Sequence, residues 1–192
     1  SMPEGRYFDI DYMFGLDDIT GAVDSLVKSD RSSYVCVADA NVVVQAFLDP
    51  EYGKVLSGSA FTVCDSGWIP VFIKWVWGEK LPQTSGTELF SALVGMRKYR
   101  MAFLGGPSGI LEALKGSLCK IDPFIADMLF LELPFRDVED FDYKGIADEL
   151  NAYAPDIVWV SLGAPKQERF MHMLSPLLDR GVLIAVGAVF GY

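Results

Sequence analysis

The sequence predicts an α/β protein with a Rossmann-like, mostly parallel sheet that is covered by helices on both faces. Short segments that are apolar throughout alternate along the chain with segments whose apolar residues recur at helical spacing. Strands that are apolar on both sides belong to parallel sheets with both faces covered. The chain has 192 residues, of which 51% are hydrophobic, so we treat residues 1–192 as a single domain with a sizeable core.

Six segments are predicted to be strands, because they have strand length and are rich in β-branched and aromatic residues. In chain order they are YVCVADA (34–40), AFTVCDS (60–66), RMAFLGG (100–106), MLFLELP (128–134), DIVWVSLG (156–163) and VLIAVGAVF (182–190).

Five segments between these strands are predicted to be helices from the spacing of their apolar residues. Gly86 precedes the second helix and Pro107 begins the third, as expected of residues at helix boundaries. In chain order the helices are WIPVFIKWVWG (68–78), TELFSALVGMRKY (87–99), PSGILEALKGSL (107–118), DYKGIADELNAY (142–153) and KQERFMHMLSPLLD (166–179).

The charge and the composition argue against several classes of protein. The formal net charge is −10, with 26 acidic and 16 basic residues. This balance argues against a general nucleic-acid binder, whose affinity comes from neutralising phosphates, and against direct binding to an anionic membrane. No uninterrupted apolar run approaches the ~20 residues of a membrane-spanning helix.

The cysteines and the single histidine carry no metal-site pattern. Cys36, Cys64 and Cys119 have no CxxC spacing, and the first two lie in predicted strands, so we expect buried thiols of a cytosolic protein. His172 alone excludes a His-rich metal site, and its polar neighbours predict a solvated side chain.

The two ends of the given sequence are both expected to differ from those of the native protein. Ser1 ahead of Met2 is expected to be the remnant of a tag. Because a core strand rarely forms the terminus of a chain, we also expect the native protein to continue beyond Tyr192.

Polar residues and glycines collect where the predicted strands end, and in such folds ligands bind outside the carboxyl ends of the strands. These residues are Asp39 and Asn41, Asp65 and Ser66, Gly105 to Ser108, and Lys166 to Arg169.

The junction SLGAPKQERF (161–170) joins a predicted strand to a predicted helix. Pro165 suits the first helical position, and Ala164 offers no side-chain oxygen to the first-turn N–H groups. An uncapped helix start at this place is where α/β proteins hold anionic ligands. A plain junction with water on those amides explains the same residues.

Asp65 and Asn41 each allow two interpretations. Asp65 ends a buried strand, where it is placed either to act as a general base or to cap the helix that follows. Asn41 either holds a ligand hydroxyl or forms an Asx turn. The turn FLGGPSG (103–109) lacks GxGxxG spacing and is a weak dinucleotide signature.

Six segments together resemble the WecG/TagA/CpsF family of bacterial glycosyltransferases (glycosyltransferase family 26). LGAPKQE, in its strand-to-helix setting, is the most specific of the matching strings. In family order the segments are ADAN (38–41), CDSG (64–67), TSGTEL (84–89), FLGGPSG (103–109), DIVWVSLGAPKQE (156–168) and VGAVF (186–190).

The resemblance implies an inverting transferase that moves a sugar, such as N-acetylmannosamine or another hexose, from a UDP-sugar to a polyprenyl-diphosphate-linked sugar. It implies a role in cell-wall or surface polysaccharide synthesis, such as teichoic acid or exopolysaccharide. It also implies a cytoplasmic protein, peripheral on the inner face of the plasma membrane, which docks through a C-terminal appendage that this chain lacks.

The resemblance assigns roles to individual residues. Asp65 matches the proposed catalytic base, and Asn41 and Gln167 match residues of the substrate pocket. The full set expected to bind substrate is Asp39, Asn41, Gln83, Gly105, Gly106, Ser108, Gly163, Lys166 and Gln167.

Three positions depart from the family pattern. Asp39 stands where the family usually has Thr, and Gly191 stands where it commonly has an Asp that holds the nucleotide base. Gln83 stands near the place of a family arginine and brings no positive charge to a phosphate.

No metal and no cofactor is expected. The closest Asp-x-Asp match is Asp140–Asp142, in an acidic stretch before a helix, and the N-terminus of the helix after Gly163, with Lys166, is the more plausible diphosphate contact. No nucleic-acid partner is expected, while an exposed face of WIPVFIKWVWG would form the interface of a homo-oligomer.

Two alternative functions remain open at this stage. One is an NAD-dependent oxidoreductase that uses GGPSG for the pyrophosphate and Glu132 for the ribose. The other is a non-catalytic nucleotide-binding module, which Gln83 and Gly191 favour.

Overall fold

The computed structural model describes residues 4–7, 10–64, 86–107 and 109–186. Eight strands of these residues form one sheet in the order β1-β2-β4-β3-β8-β7-β5-β6. The β1–β2 pair is antiparallel and the other neighbouring pairs are parallel, which confirms the predicted α/β class. The strands are β1 (Glu4–Tyr7), β2 (Ile10–Met13), β3 (Ser32–Ala38), β4 (Phe61–Cys64), β5 (Met101–Gly105), β6 (Leu129–Glu132), β7 (Ile157–Ser161) and β8 (Gly181–Ala185).

Helices cover both faces of this sheet. The described part of the chain contains α1 (Leu16–Lys28), α2 (Ala40–Leu48), α3 (Pro50–Ser57), α4 (Gly86–Gly95), α5 (Ile110–Ile121), α6 (Tyr143–Tyr153) and α7 (Lys166–Leu174). Buried residues of α1, α4 and α5 share one apolar cluster, and buried residues of α2, α3, α6 and α7 share another.

Alternate side chains of β3 show how the sheet separates the two clusters. Val35 and Val37 belong to the cluster beneath α1, α4 and α5, whereas Cys36 and Ala38 belong to the opposite one. Successive side chains of a strand point to opposite faces, so a strand that is apolar at every position is buried on both. The all-apolar strands of the sequence therefore match their place in the structure.

Some predicted boundaries were wrong by a few residues. The helix predicted to begin at Pro107 begins at Ile110, because Gly109 has the left-handed φ of 71° and ends the turn before it. Lys166, not Pro165, is the first residue of α7. The same helix was predicted to extend to residue 179 but ends at Leu174, followed by a 3-10 turn over Ser175–Leu177. Pro176 in that turn has no N–H to continue an α-helix.

Other predictions fall where the structure gives no description. The helix WIPVFIKWVWG (68–78) lies outside the described residues, as do residues 187–190 of the last predicted strand. Within the described residues, none of the helices has both the length and the apolar character required to cross a bilayer.

Candidate functional site

The parallel strands bring three strand-to-helix junctions to one edge of the sheet. β5 and β7 are neighbours, with Gly105 opposite Ser161, and β8 lies between β7 and β3. β3, β5 and β7 run in the same direction, so the residues that follow their carboxyl ends share that edge. Asp39 follows β3, Gly106 follows β5, and Gly163 follows β7 closely.

At the β3–α2 junction, Asp39 is the N-cap of α2. Its Oδ1 accepts a hydrogen bond from the backbone N–H of Val42 at 2.9 Å, and the side chain is otherwise exposed. Asn41 is the second residue of the helix. The family-like segment ADAN is therefore a helix start whose first-turn amides face the carboxyl edge of the sheet.

At the β5–α5 junction, glycines leave the backbone uncovered by side chains. A Cβ atom at Gly105 would lie 3.3 Å from Cδ2 of Leu111, so a side chain there would press on α5. Gly106 has open space around its Cα. Gly109, the N-cap of α5, has a left-handed conformation, and no side chain caps the helix. The first-turn N–H groups of α5 consequently have no side-chain cap, which suits an anion.

At the β7–α7 junction, Gln167 holds the turn that precedes its own helix. Its Oε1 accepts hydrogen bonds from the backbone N–H groups of Gly163 at 3.1 Å and Leu162 at 3.4 Å. Gly163 has φ of 78°, and Gln167 is only 3% exposed. The Gln167 carbonyl oxygen is thus occupied by the protein, and the rest of its amide interacts with the neighbouring Glu168 carboxyl, where it lowers the pKa of that acid.

The N-terminus of α7 lacks a side-chain cap, as the sequence predicted. Lys166 begins the helix with its Nζ held over two aromatic rings, 5.1 Å from the ring centre of Phe135 and 5.3 Å from that of Phe141. A cation over the face of an aromatic ring is attracted by the ring quadrupole. The two rings therefore restrict the Lys166 ammonium to a position beside the helix start.

Replacing Gln167 by Ala is expected to destabilise the protein by about 1–3 kcal/mol, because two amides of a tight turn lose their acceptor. Urea unfolding at neutral pH measures this. Gln45→Ala on α2 is the matched control, since Gln45 makes no side-chain hydrogen bond to the described residues, and we expect a change below about 0.5 kcal/mol. Equal losses in the two variants would mean that Gln167 does not hold the turn.

Sequence reasoning included Glu168 only as part of longer segments, such as the polar run Lys166 to Arg169, and assigned it no role of its own. Its side chain is 0% exposed, and neither carboxyl oxygen makes a hydrogen bond of normal geometry with the described protein. Burial raises the pKa of Glu168 to about 7, and the nearby Asp39 carboxylate raises it further, while the Gln167 side chain and the Tyr52 hydroxyl oppose the rise. In the sequence, the run KQER resembles a solvated helix face, so only its place beside the specific GAP turn could have drawn attention to it.

Several predicted residues cannot be placed. Asp65, Ser66, Gln83, Ser108 and Gly191 lie outside the described residues. The strand before Asp65 is described, and it ends at Cys64, which is paired in register with Ala38.

Other residues singled out from the sequence have structural roles. Asp142 caps α6 through a hydrogen bond from the N–H of Gly145 at 3.0 Å. His172 is exposed, with Nδ1 at 2.9 Å from the Tyr34 hydroxyl, which donates to the carbonyl of Val55. No group of three or more potential metal ligands occurs among the described residues.

Comparison with known proteins identifies similar sequences. The family model described as "Glycosyl transferase WecG/TagA/CpsF family" matches residues 9–192. A protein of Bacillus spizizenii strain W23 is 25% identical over 168 residues, which are 85% of this chain and 63% of the relative. A protein of Bacillus subtilis strain 168 is 26% identical over 179 residues, which are 90% of this chain and 68% of the relative. Both are named N-acetylglucosaminyldiphosphoundecaprenol N-acetyl-beta-D-mannosaminyltransferase. The chain therefore spans about two thirds of the length of these relatives.

Proposed function

The chain belongs to the WecG/TagA/CpsF family of glycosyl transferases, and from that membership we propose that it transfers a sugar from a UDP-sugar to a polyprenyl-diphosphate-linked sugar. The observation that carries the proposal is the pair of helix starts at the ends of neighbouring strands β5 and β7. Neither α5 nor α7 has a side-chain cap, and each follows a glycine turn. The Gln167 N–H already donates to the Gly163 carbonyl at 2.8 Å. The two helix starts together offer their other first-turn N–H groups and their positive dipole ends to a diphosphate.

We assign the donor nucleotide to this edge, in contact with the Gly105–Gly106 turn and the Gly163–Gln167 junction. Lys166 supplies a positive charge to the diphosphate, and Gln167 holds the turn against which the diphosphate binds. The leaving diphosphate is stabilised by these groups without a metal ion, since preorganised donors aimed at developing charge do the work that a metal does elsewhere.

The acceptor hydroxyl reacts from the opposite face of the sugar. Asp65 takes its proton, the acceptor oxygen forms a bond to the anomeric carbon, and the bond from that carbon to the diphosphate breaks, so the configuration inverts. We assign Asp65 to this role from the family resemblance and from its place directly after β4, which lies beside β3. We assign Asp39 and Asn41, at the start of α2, to the acceptor or the donor sugar from the family resemblance.

The names of the two relatives support the choice of substrates. They describe transfer of N-acetylmannosamine to a polyprenyl-diphosphate-linked N-acetylglucosamine. We propose the same class of acceptor for this chain and a hexose of that type as donor, in cell-wall or surface polysaccharide synthesis. Because such an acceptor is anchored in lipid, the proposed reaction takes place at a membrane surface, which we assign to the inner face of the plasma membrane from the family resemblance.

Titration of the 192-residue protein with nucleotides tests the donor site. UDP at 100 times its dissociation constant is expected to stabilise the protein by about 2.7 kcal/mol, or roughly 5–10 °C in Tm. Lys166→Met is expected to weaken UDP binding about tenfold or more, because a hydrogen bond to a charged phosphate is lost. Calorimetry and thermal unfolding provide both measurements.

The controls for this titration are NADH, GDP-mannose and the Lys144→Met variant. Lys144 is an exposed lysine on α6, paired with Asp148 at 3.0 Å, and its replacement is expected to leave UDP affinity unchanged. Binding of NADH without binding of UDP would favour an oxidoreductase instead.

A further inference from the structure

Glu168 is a buried acid that is paired with no cation among the described residues. It lies in the first turn of α7, is 0% exposed, and both of its carboxyl oxygens lack a hydrogen bond of normal geometry within the described protein. An ionised carboxylate is rarely buried unless it is paired or hydrogen-bonded. The side chain is therefore held in its uncharged form or under strain.

The neighbouring positive charge, Arg169, does not pair with the buried Glu168 carboxyl. Arg169 is the next residue on α7, but its guanidinium pairs with Asp49, the N-cap of α3, at 2.8 Å from Nη2 to Oδ2. The same guanidinium stacks over the ring of Tyr52 at 5.4 Å. The positive charge next to Glu168 on α7 is therefore paired with residues of α3 and its N-cap.

Among the described residues, the groups of other elements that act on Glu168 are acidic or neutral. Cys36 and Asp39 belong to β3 and its end, and Tyr52 belongs to α3. The pKa of the Cys36 thiol and that of the Tyr52 hydroxyl are both raised by burial and by Glu168. Asp39 is the charged member of this set, and its carboxylate opposes ionisation of Glu168.

Asp39 links this buried acid to the substrate edge. Its carboxylate caps α2, the helix that begins with Ala40 and Asn41, and it belongs to the segment ADAN. Glu168 is adjacent to Gln167, which holds the turn at the β7–α7 junction. A charge on Glu168 therefore acts on both junctions that the proposed function assigns to substrate binding.

We propose that Glu168 is a positioning residue for the sugar transfer, whose uncharged carboxyl allows Asp39 and Gln167 to hold the β3–α2 and β7–α7 junctions in the geometry that binds UDP. Ionisation of Glu168 repels the Asp39 carboxylate and displaces both junctions. The inference rests on the proposed function, because it assigns UDP to this edge. In the family resemblance Asp39 replaces Thr, so the facing charge is a feature of this chain.

The direction of the pH dependence follows from the pKa of Glu168. Because that pKa is raised to about 7, Glu168 carries its proton below pH 7 and loses it above. The apparent dissociation constant equals the intrinsic dissociation constant divided by the fraction of protein in the competent form. UDP binding is therefore expected to weaken roughly 10–30-fold between pH 6 and pH 8.5 because of this one group.

The test compares UDP binding to the wild-type protein and to Glu168→Gln by calorimetry from pH 5.5 to pH 9. Gln has the shape of the protonated acid and cannot ionise, so its profile should lack the alkaline weakening. The phosphate of UDP titrates equally in both titrations, so it cancels in the comparison. Parallel profiles for the two proteins, with UDP bound by both, would overturn the inference and leave the proposed function intact.

Asp39→Thr provides a second variant, at an exposed position where Thr is also a good N-cap. Removing the facing charge lowers the pKa of Glu168, so the weakening should begin at a lower pH, whatever the absolute affinity. If the pH midpoint of the weakening in UDP binding is the same in Asp39→Thr as in the wild type, Asp39 and Glu168 are not coupled and the inference is wrong. Absence of UDP binding by the wild-type protein at every pH would overturn the proposed function together with the inference.

Discussion

Asp65→Asn is expected to lower the rate of sugar transfer roughly 10²–10⁴-fold, the usual effect of losing a general base. The substitution keeps the size of the side chain and most of its hydrogen bonding but removes the group that accepts the proton. UDP affinity should hardly change, because the base acts on the acceptor hydroxyl and not on the nucleotide. The position supports this role: β4 ends at Cys64, which is paired with Ala38, and Asp39 follows Ala38 directly.

The alternative role of Asp65, as a helix cap, makes different predictions. Asn is itself a good N-cap, so a capping role predicts a loss of about 1 kcal/mol or less in stability and near-normal turnover. Tm, UDP affinity and the transfer rate to a polyprenyl-diphosphate-linked acceptor are measured on the same variant, in an enzyme preparation with measurable transfer. Asp137→Asn is the matched control, since Asp137 is exposed and makes no capping hydrogen bond. Near-normal turnover in Asp65→Asn would remove Asp65 from the mechanism and leave Asp39 as the next carboxylate to test.

The central strands of the fold were predictable from the sequence for a simple physical reason. β5, β7 and β8 are buried on both faces, so each is a continuous apolar run that no helix of ordinary amphipathic pattern imitates. Their carboxyl ends locate the substrate edge, and therefore the amino-acid sequence alone is enough to assign the glycine turns after β5 and β7 to that edge.

The segment between β3 and β4 was not predictable in this way. α2 exposes Val44, Phe47 and Leu48 while burying Val42, so its apolar residues do not mark a single buried face. α3 has only eight residues, too few for a clear helical period. The start of α2 was nevertheless marked by Asp39, a residue typical of N-caps, which was interpreted from the sequence as a substrate residue alone.

The site was predictable only as far as local sequence determines it. The uncapped start of α7 follows from Ala164 and Pro165 in the sequence. The side-chain directions do not: Gln167 turns back to bind the amides before its helix, and Glu168 points into the core. Both depend on how α7 packs against β3 and α3, which are more than 100 residues away in the chain.

Glu168→Gln is expected to stabilise the protein at alkaline pH by about 3 kcal/mol relative to its effect in acid. The pKa of Glu168 in the folded protein is about 7, against 4.5 for the ordinary side chain. A carboxyl whose folded pKa is raised contributes stability that is fully present below the unfolded pKa and is lost as the pH rises through the folded pKa. The wild-type free energy of unfolding should therefore fall between about pH 4.5 and pH 7 from this group. That interval corresponds to roughly 3 kcal/mol at 1.36 kcal/mol for each pKa unit.

The measurement is the free energy of unfolding in urea, from pH 4.5 to pH 9, for the wild-type protein and for Glu168→Gln. The difference between them should grow through the pH range of the Glu168 titration and then remain constant, since Gln has no proton to lose. A constant offset at all pH values is expected in addition, because the amide leaves its own polar groups buried. Glu149→Gln is the matched control, an exposed glutamate on α6 whose variant should follow the wild-type curve within about 0.5 kcal/mol. A pH-independent difference between Glu168→Gln and the wild type would mean that the pKa of Glu168 in the folded protein equals its unfolded value, so that Glu168 is ionised above about pH 4.5. The Asp39 carboxylate and the Glu168 carboxylate would then coexist as charges at the junction that begins α2.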